Sequence, residues 1–229
     1  MREAIVLAGG LGTRLKAVTG DIPKPMAPIL GRPFLELLLS HLCQQGFDRA
    51  VLALGYKAEQ IIKHFGGKFS GMEIDHVVEP FPLGTGGGVR MALDRVHSNN
   101  FFVLNGDTYL GLDFAALERV FPTGPVLVAR RVSDSARYGG LVVSDGCVRG
   151  FLEKGLSGPG LINAGCYRLQ RQQLAMYKCG ENFSLERDYL PGALALAPFG
   201  AFICEGLFID IGIPLDYFRA QSLLSNFVE

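Results

Sequence analysis

The tightest restriction on what this chain can fold into lies at one junction. An apolar run, Ala4-Ile5-Val6-Leu7-Ala8, passes without a polar break into Gly9-Gly10-Leu11-Gly12-Thr13-Arg14. The run reads as a first β-strand, and three glycines in four positions let backbone N–H groups come close to anionic oxygens. A phosphate cradle is the natural reading, with a simple tight turn as the plainer alternative. The loop is not a dinucleotide-binding fingerprint, because Leu15 stands where Gly or Ala is required, and no acidic residue follows about twenty positions on within a second strand. It is not a Walker loop either, since no Gly-Lys-Ser/Thr follows.

Beyond the loop, short apolar runs alternate with amphipathic helical stretches, the pattern of a mostly parallel sheet covered by helices. Pro33 opens a helix running to about Gln45, followed by a strand over Arg49–Leu54 and a helix over Ala58–Phe65. A strand over Glu73–Val78, a helix over Gly86–Val96 and a strand over Asn100–Leu104 come next, the last leading into Asn105-Gly106-Asp107. The second half changes style. Pro125–Arg131, Gly140–Val143, Cys147–Glu153 and Leu161–Arg168 read as strands with short glycine-containing connections, which predicts antiparallel pairing and a mixed sheet. Gln170–Tyr177 and Ser184–Leu190 read as helices, Ala201–Cys204 and Leu207–Ile209 as strands, and Ile213–Phe227 as a closing helix free to pack on its own sheet or on a second subunit. The expected fold class from this pattern is α/β, helices covering a mixed, mostly parallel sheet. Residues 1–229 are expected to form one domain.

Composition removes several function classes. Lys plus Arg equals Asp plus Glu, giving zero formal charge and no basic run to follow a nucleic-acid backbone. No apolar stretch approaches a membrane span, and the N-terminal apolar run is too short for a signal peptide, so a cytoplasmic location is expected. The cysteines, Cys43, Cys147, Cys166, Cys179 and Cys204, are scattered without a C-x-x-C pair and read as free thiols. The four histidines show no metal-ligand spacing.

Two cations follow from the loop. Arg14 offers a permanently charged fork for phosphate oxygens, and Lys24, in Asp21-Ile22-Pro23-Lys24-Pro25-Met26, is stiffened between two prolines. Taken together, G-G-x-G-T-R-L followed by P-K-P resembles the signature of the nucleoside diphosphate sugar pyrophosphorylases. The likeness continues in order through Pro82-Leu83-Gly84-Thr85-Gly86-Gly87, Asn105-Gly106-Asp107, Tyr138-Gly139-Gly140, Glu153-Lys154, Asn163-Ala164-Gly165 and Asp210-Ile211-Gly212.

That resemblance implies a reaction in which a nucleoside triphosphate and a sugar 1-phosphate give an NDP-sugar, used in surface glycan synthesis, and pyrophosphate. It implies Arg14 and Lys24 as catalytic cations. Leu7, Ala8, Gly9, Gly10, Gly12, Thr13, Gly84 and Thr85 would bind the nucleotide, and Asp107 and Asp210 would hold Mg²⁺. Asn105, Tyr138, Gly139, Glu153, Lys154 and Asn163 would bind the sugar phosphate. Gly155 follows Lys154 where many relatives have proline. A homodimer is the family-level expectation. The resemblance further implies a Rossmann-like three-layer α/β/α sandwich with a mixed, mostly parallel central sheet, its nucleotide-binding part over about 1–110 and its sugar-phosphate-binding part over about 111–229.

Glu79 is the clue to the base. It lies where relatives keep base-reading side chains, and a carboxylate can accept the N1–H and N2–H₂ donors of guanine. D-I-P-K-P-M-A-P, L-N-G-D-T-Y and F-S-L-E-R-D-Y-L most resemble the guanylyltransferases of D-glycero-α-D-manno-heptose 1-phosphate. Transfer to mannose, glucose or N-acetylmuramate 1-phosphate from GTP, UTP, CTP or dTTP is the alternative, and a catalytically silent nucleotide-binding subunit is the non-enzyme one.

Overall fold

The computed structural model describes residues 1–153, 155 and 157–227. In chain order the first half contains β1 (Glu3–Ala8), α1 (Lys16–Thr19), β2 (Pro28–Ile29), β3 (Arg32–Pro33), α2 (Phe34–Gln44), β4 (Arg49–Leu54), α3 (Ala58–Phe65), β5 (Lys68–Phe69), β6 (Met72–Val78), α4 (Gly84–Ala92) and β7 (Asn100–Asn105). The second half contains β8 (Thr108–Leu110), α5 (Phe114–Val120), β9 (Val126–Val132), β10 (Leu141–Ser144), β11 (Cys147–Phe151), β12 (Gly160–Gln170), α6 (Leu190–Leu196), β13 (Phe199–Cys204), β14 (Phe208–Asp210) and α7 (Pro214–Leu223).

One ten-stranded mixed sheet runs in the order β10-β11-β13-β9-β12-β7-β1-β4-β6-β5. β1 lies between β7 and β4 and is parallel to both, and β4 is parallel to β6. From β7 onward β12 pairs antiparallel on both sides, while β13 and β9 are parallel, an exception to the antiparallel style expected there. Side chains alternate across the pleat: Ala4, Val6 and Ala8 of β1 join the core beneath α2, α3 and α5, whereas Ile5 joins the core beneath α4 and Leu190 of α6. Helices therefore cover both faces, and all six residues of β4 are buried. In α3, Ala58, Ile61 and Phe65 repeat at helical spacing on the buried side, and Gly66 (φ 60°) ends the helix.

A smaller third core explains how the closing helix docks. Tyr217, Ala220 and Leu224 pack with Leu15, Ala27, Ile29, Tyr109 and Ile209, so α7 covers its own chain. Beneath it, β14 pairs antiparallel with β8, with Asp210 opposite Thr108. The Ile211 N–H donates to the Asp107 carbonyl at 3.0 Å. This ribbon brings two aspartates from opposite halves of the sequence side by side.

Two expected helices differ. Over Gln170–Tyr177 only a 3-10 turn forms, Arg171–Leu174, closed by a reciprocal cap between Gln170 and Gln173. Ser184–Leu190 is not an α-helix but a π-turn, Leu185–Tyr189, leading into α6. Ser184 and Asp188 fix it: the Ser184 hydroxyl accepts the Arg187 N–H at 3.2 Å, and Asp188 accepts the Ser184 N–H at 2.6 Å. Such local side-chain bonds compete with the regular helical ladder. Helix α4 starts two residues before the expected Gly86, because the Phe183 carbonyl accepts the Gly86 and Gly87 N–H groups and anchors the first turn. The five cysteines are unpaired, as expected.

Candidate active site

The site forms where β1, β4, β6 and β7 end. In open α/β sheets ligands bind outside the carboxyl ends of the strands, where strand order reverses. Gly9 and Gly10 leave β1 there, Gly55 and Tyr56 leave β4, Glu79 leaves β6, and Asn105 closes β7. These residues line a cavity of about 710 Å³, together with Leu7, Ala8, Gly12, Thr13, Arg14, Lys24, Gly84, Thr85 and Asp107. The loop after β1 lies against the lysine: Gly12 has φ 61°, and a Cβ on it would meet the Lys24 Cβ at 2.9 Å. Arg14 is exposed, and its guanidinium makes no ion pair or hydrogen bond among the described residues.

Lys24 is the best-held cation of the group, its side chain 10% exposed. Pro23, in extended conformation, enters a 3-10 turn over Lys24–Met26. The ammonium donates to Asp107 Oδ2 and lies 3.9 Å from Asp210 Oδ1. Asp210 Oδ1 also accepts the Gly212 N–H at 2.6 Å, and Oδ2 accepts from Arg137 Nη2 at 3.0 Å. A Cβ on Gly212 would stand 2.7 Å from Asp210 Oδ1, so the glycine in Asp210-Ile211-Gly212 is there for close approach. Asp107 and Asp210 thus converge on one point, with Lys24 between them. Among the described residues no group of three or more His, Cys, Asp and Glu side chains does so. Two carboxylates leaving the remaining positions to water and phosphate oxygens are the donor set Mg²⁺ favours.

Glu79 is half-used. Its Oε2 accepts the Leu83 N–H at 3.0 Å, tying down the turn before α4. Its Oε1 faces Gly9 and Gly88, and a Cβ on Gly88 would approach it to 2.7 Å. Burial pushes the carboxyl above the ordinary carboxylate range, only partly offset by the Leu83 N–H. Thr85 is a brace: its hydroxyl donates to Glu186 Oε2 at 2.7 Å and accepts the Leu185 N–H at 2.9 Å. Gly84, at φ 74°, is pressed against the Phe183 carbonyl.

A second cavity of about 780 Å³ adjoins the first and shares Arg14 and Asn105 with it. Tyr138, Gly139, Glu153, Asn163 and Asp210 line it. Lys154 lies outside the described residues. Asn105 is held by the close approach of Gly165 (φ 70°), and its Oδ1 is buried without a hydrogen-bond partner among the described residues. An orphan acceptor in a cavity wall suits a ligand hydroxyl. Asn163, by contrast, is committed inside the protein: its amide donates to the Tyr167 hydroxyl at 2.7 Å and its oxygen accepts the Gly165 N–H at 3.0 Å. Glu186, Arg187 and Arg137 also line this cavity and were not singled out in the sequence. Arg137 directly precedes Tyr138-Gly139, which was the only signal available.

A family model described as nucleotidyl transferase matches residues 3–226. The chain belongs to the nucleotidyl transferase family. This family member is 38% identical to a D-glycero-alpha-D-manno-heptose 1-phosphate guanylyltransferase of Aneurinibacillus thermoaerophilus, the match covering 99% of this chain and 100% of that one. It is 35% identical to a mannose-1-phosphate guanylyltransferase of Mycobacterium tuberculosis, covering 96% of this chain and 64% of that protein. Among solved structures it is similar to HddC from Yersinia pseudotuberculosis complexed with GMP-PN, with TM-score 0.86 and 41% identity over 97% of this chain and 99% of that one. Among the described residues of this nucleotidyl transferase no helix is long and apolar enough to cross a membrane.

Proposed function

We propose that this nucleotidyl transferase passes a guanylyl group from GTP to D-glycero-α-D-manno-heptose 1-phosphate, releasing pyrophosphate, in the cytoplasm. The observation that carries this reading is the seam between the two cavities. Arg14 and Asn105 belong to both, and Lys24 sits between Asp107, which faces the first, and Asp210, which faces the second. A triphosphate in the first cavity and a phosphate monoester in the second would meet where the cations are concentrated.

The reaction needs an oxygen of the sugar phosphate to attack the α-phosphorus in line with the bond to the departing pyrophosphate. No covalent enzyme intermediate is required, so positioning and charge neutralisation supply the catalysis. Backbone N–H groups of Gly9, Gly10 and Gly12 cradle the triphosphate, with Leu7, Ala8, Thr13, Gly84 and Thr85 completing its walls. Lys24 stabilises charge on the α-phosphoryl oxygens, and Arg14 steadies the pyrophosphate. Asp107 and Asp210 would hold Mg²⁺, which when bound neutralises phosphate charge. Asn105 Oδ1 takes a sugar hydroxyl, Tyr138, Gly139 and Glu153 frame the sugar, and Asn163 keeps Tyr167 and Gly165 in place beside it. Lys154 is assigned to the acceptor phosphate from the sequence. Residues of about 1–110 supply most of the nucleotide cavity and those of about 111–229 most of the acceptor cavity.

Glu79 supports GTP as the donor, because it lines the first cavity and its Oε1, which takes no hydrogen bond among the described residues, can accept from the paired donors of guanine. The Yersinia pseudotuberculosis relative bound to GMP-PN supports the same base. The test is a panel of triphosphates against sugar 1-phosphates, read by pyrophosphate release. The expected outcome is fastest release from GTP with the heptose phosphate. Faster release with mannose 1-phosphate would replace the acceptor and keep the base, as the Mycobacterium tuberculosis relative suggests. No release from any pair would refute the reading.

A further inference from the structure

We infer that Arg137 is a positioning residue of the reaction, a planar clamp that locks Asp210 and the Tyr138 ring to the closing helix. The inference rests on the proposed function, and its starting point is a buried carboxylate outside the two cavities. Asp216, in the first turn of α7, is 4% exposed. A carboxylate withdrawn from water in this way must be compensated by charge and hydrogen bonds. Arg219 supplies one at Asp216 Oδ1, 2.9 Å away, and Arg137 Nη1 supplies the other at Oδ2.

The same guanidinium reaches into the site. Nη2 donates to Asp210 Oδ2 at 3.0 Å, and the group lies over the Tyr138 ring, 4.9 Å from its centroid. Tyr138 in turn meets Phe208 of β14 edge-on at 5.8 Å. One rigid plane therefore sets three things at once: a carboxylate at the seam, an aromatic wall of the acceptor cavity, and the start of α7. Asp210 is divided cleanly by this arrangement, with Oδ2 given to Arg137 and Oδ1 turned toward Gly212 N–H and Lys24.

The segment bearing Arg137 is itself pinned. Asp134 accepts the Ala136 and Gly158 N–H groups, both at 3.1 Å, and the Ser135 carbonyl accepts those of Tyr138 and Gly139 at 3.0 and 3.3 Å. A lysine here would keep the charge but not the fork, because a single ammonium cannot hold the spacing between two carboxylates that a planar guanidinium fixes. Clamp and charge can therefore be separated by substitution.

The experiment compares the full-length wild type with Arg137→Met, Arg137→Lys, Asp216→Asn and the double variant Arg137→Met/Asp216→Asn. The donor and acceptor are the pair that gives fastest pyrophosphate release in the wild type. Arg137→Met is expected to lower kcat roughly tenfold or more, with the KM for the triphosphate within about twofold. Arg137→Lys should restore the melting temperature but not kcat, and the double variant should be no slower than Arg137→Met. A crystal structure of Arg137→Met should show Asp210 turned away from the Gly212 N–H and the Tyr138 ring displaced. Wild-type kcat in Arg137→Met, kcat recovering together with melting temperature in Arg137→Lys, or a further loss in the double variant would overturn the inference. If the wild type releases no pyrophosphate from any pair, the functional reading fails, and the crystal structure alone decides: Asp210 and Tyr138 unmoved would overturn the clamp.

Discussion

Replacing Glu79 by Gln tests how the base is chosen. In the wild type Oε2 is committed to the Leu83 N–H at 3.0 Å, which leaves Oε1 for the ligand. Glutamine has one oxygen. If it keeps the Leu83 contact, its amide N–H groups face the N1–H and N2–H₂ donors of guanine; if it turns, the Leu83 N–H loses its acceptor. Either way a hydrogen bond to a charged acceptor is lost, a change of about 1.5–3 kcal/mol. That converts to a fall of roughly 10- to 150-fold in kcat/KM for GTP. The assay is pyrophosphate release with GTP, ITP and UTP in parallel, ITP lacking the exocyclic amine. The wild type should prefer GTP over ITP, and Glu79→Gln should erase most of that margin while leaving UTP little changed. Gly88→Ala approaches the same atom from behind: its methyl would stand 2.7 Å from Glu79 Oε1, the movable end of a side chain, inside helix α4. Alanine is favoured over glycine in a helix by about 1 kcal/mol, so this variant should fold well and still lose base selection. Because burial raises the Glu79 carboxyl, selection should be complete above that raised value and fade as pH falls through it, earlier than for an ordinary carboxylate. An unchanged GTP to ITP ratio in Glu79→Gln would refute the argument, as would an equal loss with all three triphosphates.

Lys24→Ala should lower kcat by roughly 100-fold or more in the same assay, with a much smaller change in the KM for GTP, since the ammonium acts on charge developing in the transition state. Asp107→Asn should raise the Mg²⁺ concentration needed for half-maximal rate, and an excess of chelator should abolish activity in the wild type; activity persisting in chelator would remove the two-carboxylate metal proposal. Arg168, 4% exposed, donates to the carbonyls of Phe121, Thr123 and Gly124, so Arg168→Met leaves acceptors unpaired and should cost about 3 kcal/mol or more by urea unfolding. His41 is buried with its Nε2 3.1 Å from the Leu112 carbonyl, and burial holds its pKa below the ordinary 6.5. Its contribution to stability is therefore complete above pH 6.5 and is lost as pH falls through the depressed value; the melting temperature should decline on that side in the wild type and less in His41→Gln.

The sequence made legible whatever depended on local pattern. The strand β1 and the helices α2 and α3 follow from apolar periodicity, from Pro33 at the start of α2 and from Gly46 just beyond its end. The π-turn at Leu185–Tyr189 was not legible, because Ser184 and Asp188 redirect a stretch whose apolar spacing suits a helix. The residues β14 presents to β8 were individually visible as motifs, yet their pairing is a long-range contact beneath α7 that no local pattern encodes. Arg137 escaped notice for a related reason: its meaning lies in Asp216, which no spacing rule connects to it. Thr85 and Asn163 line the two cavities while bracing Glu186 and Tyr167, a double duty that only the hydrogen bonds themselves disclose.

The ribbon of β8 and β14 also makes the seam a long-range contact. Asp107 follows β7 and Asp210 ends β14, so the two carboxylates meet only where Phe208–Asp210 pairs with Thr108–Leu110 and α7 packs over Tyr109 and Ile209. The parallel pairing of β1, β4, β6 and β7 does not depend on that ribbon for its hydrogen bonds, so the place proposed for metal binding and the frame of the sheet are secured by separate parts of the chain.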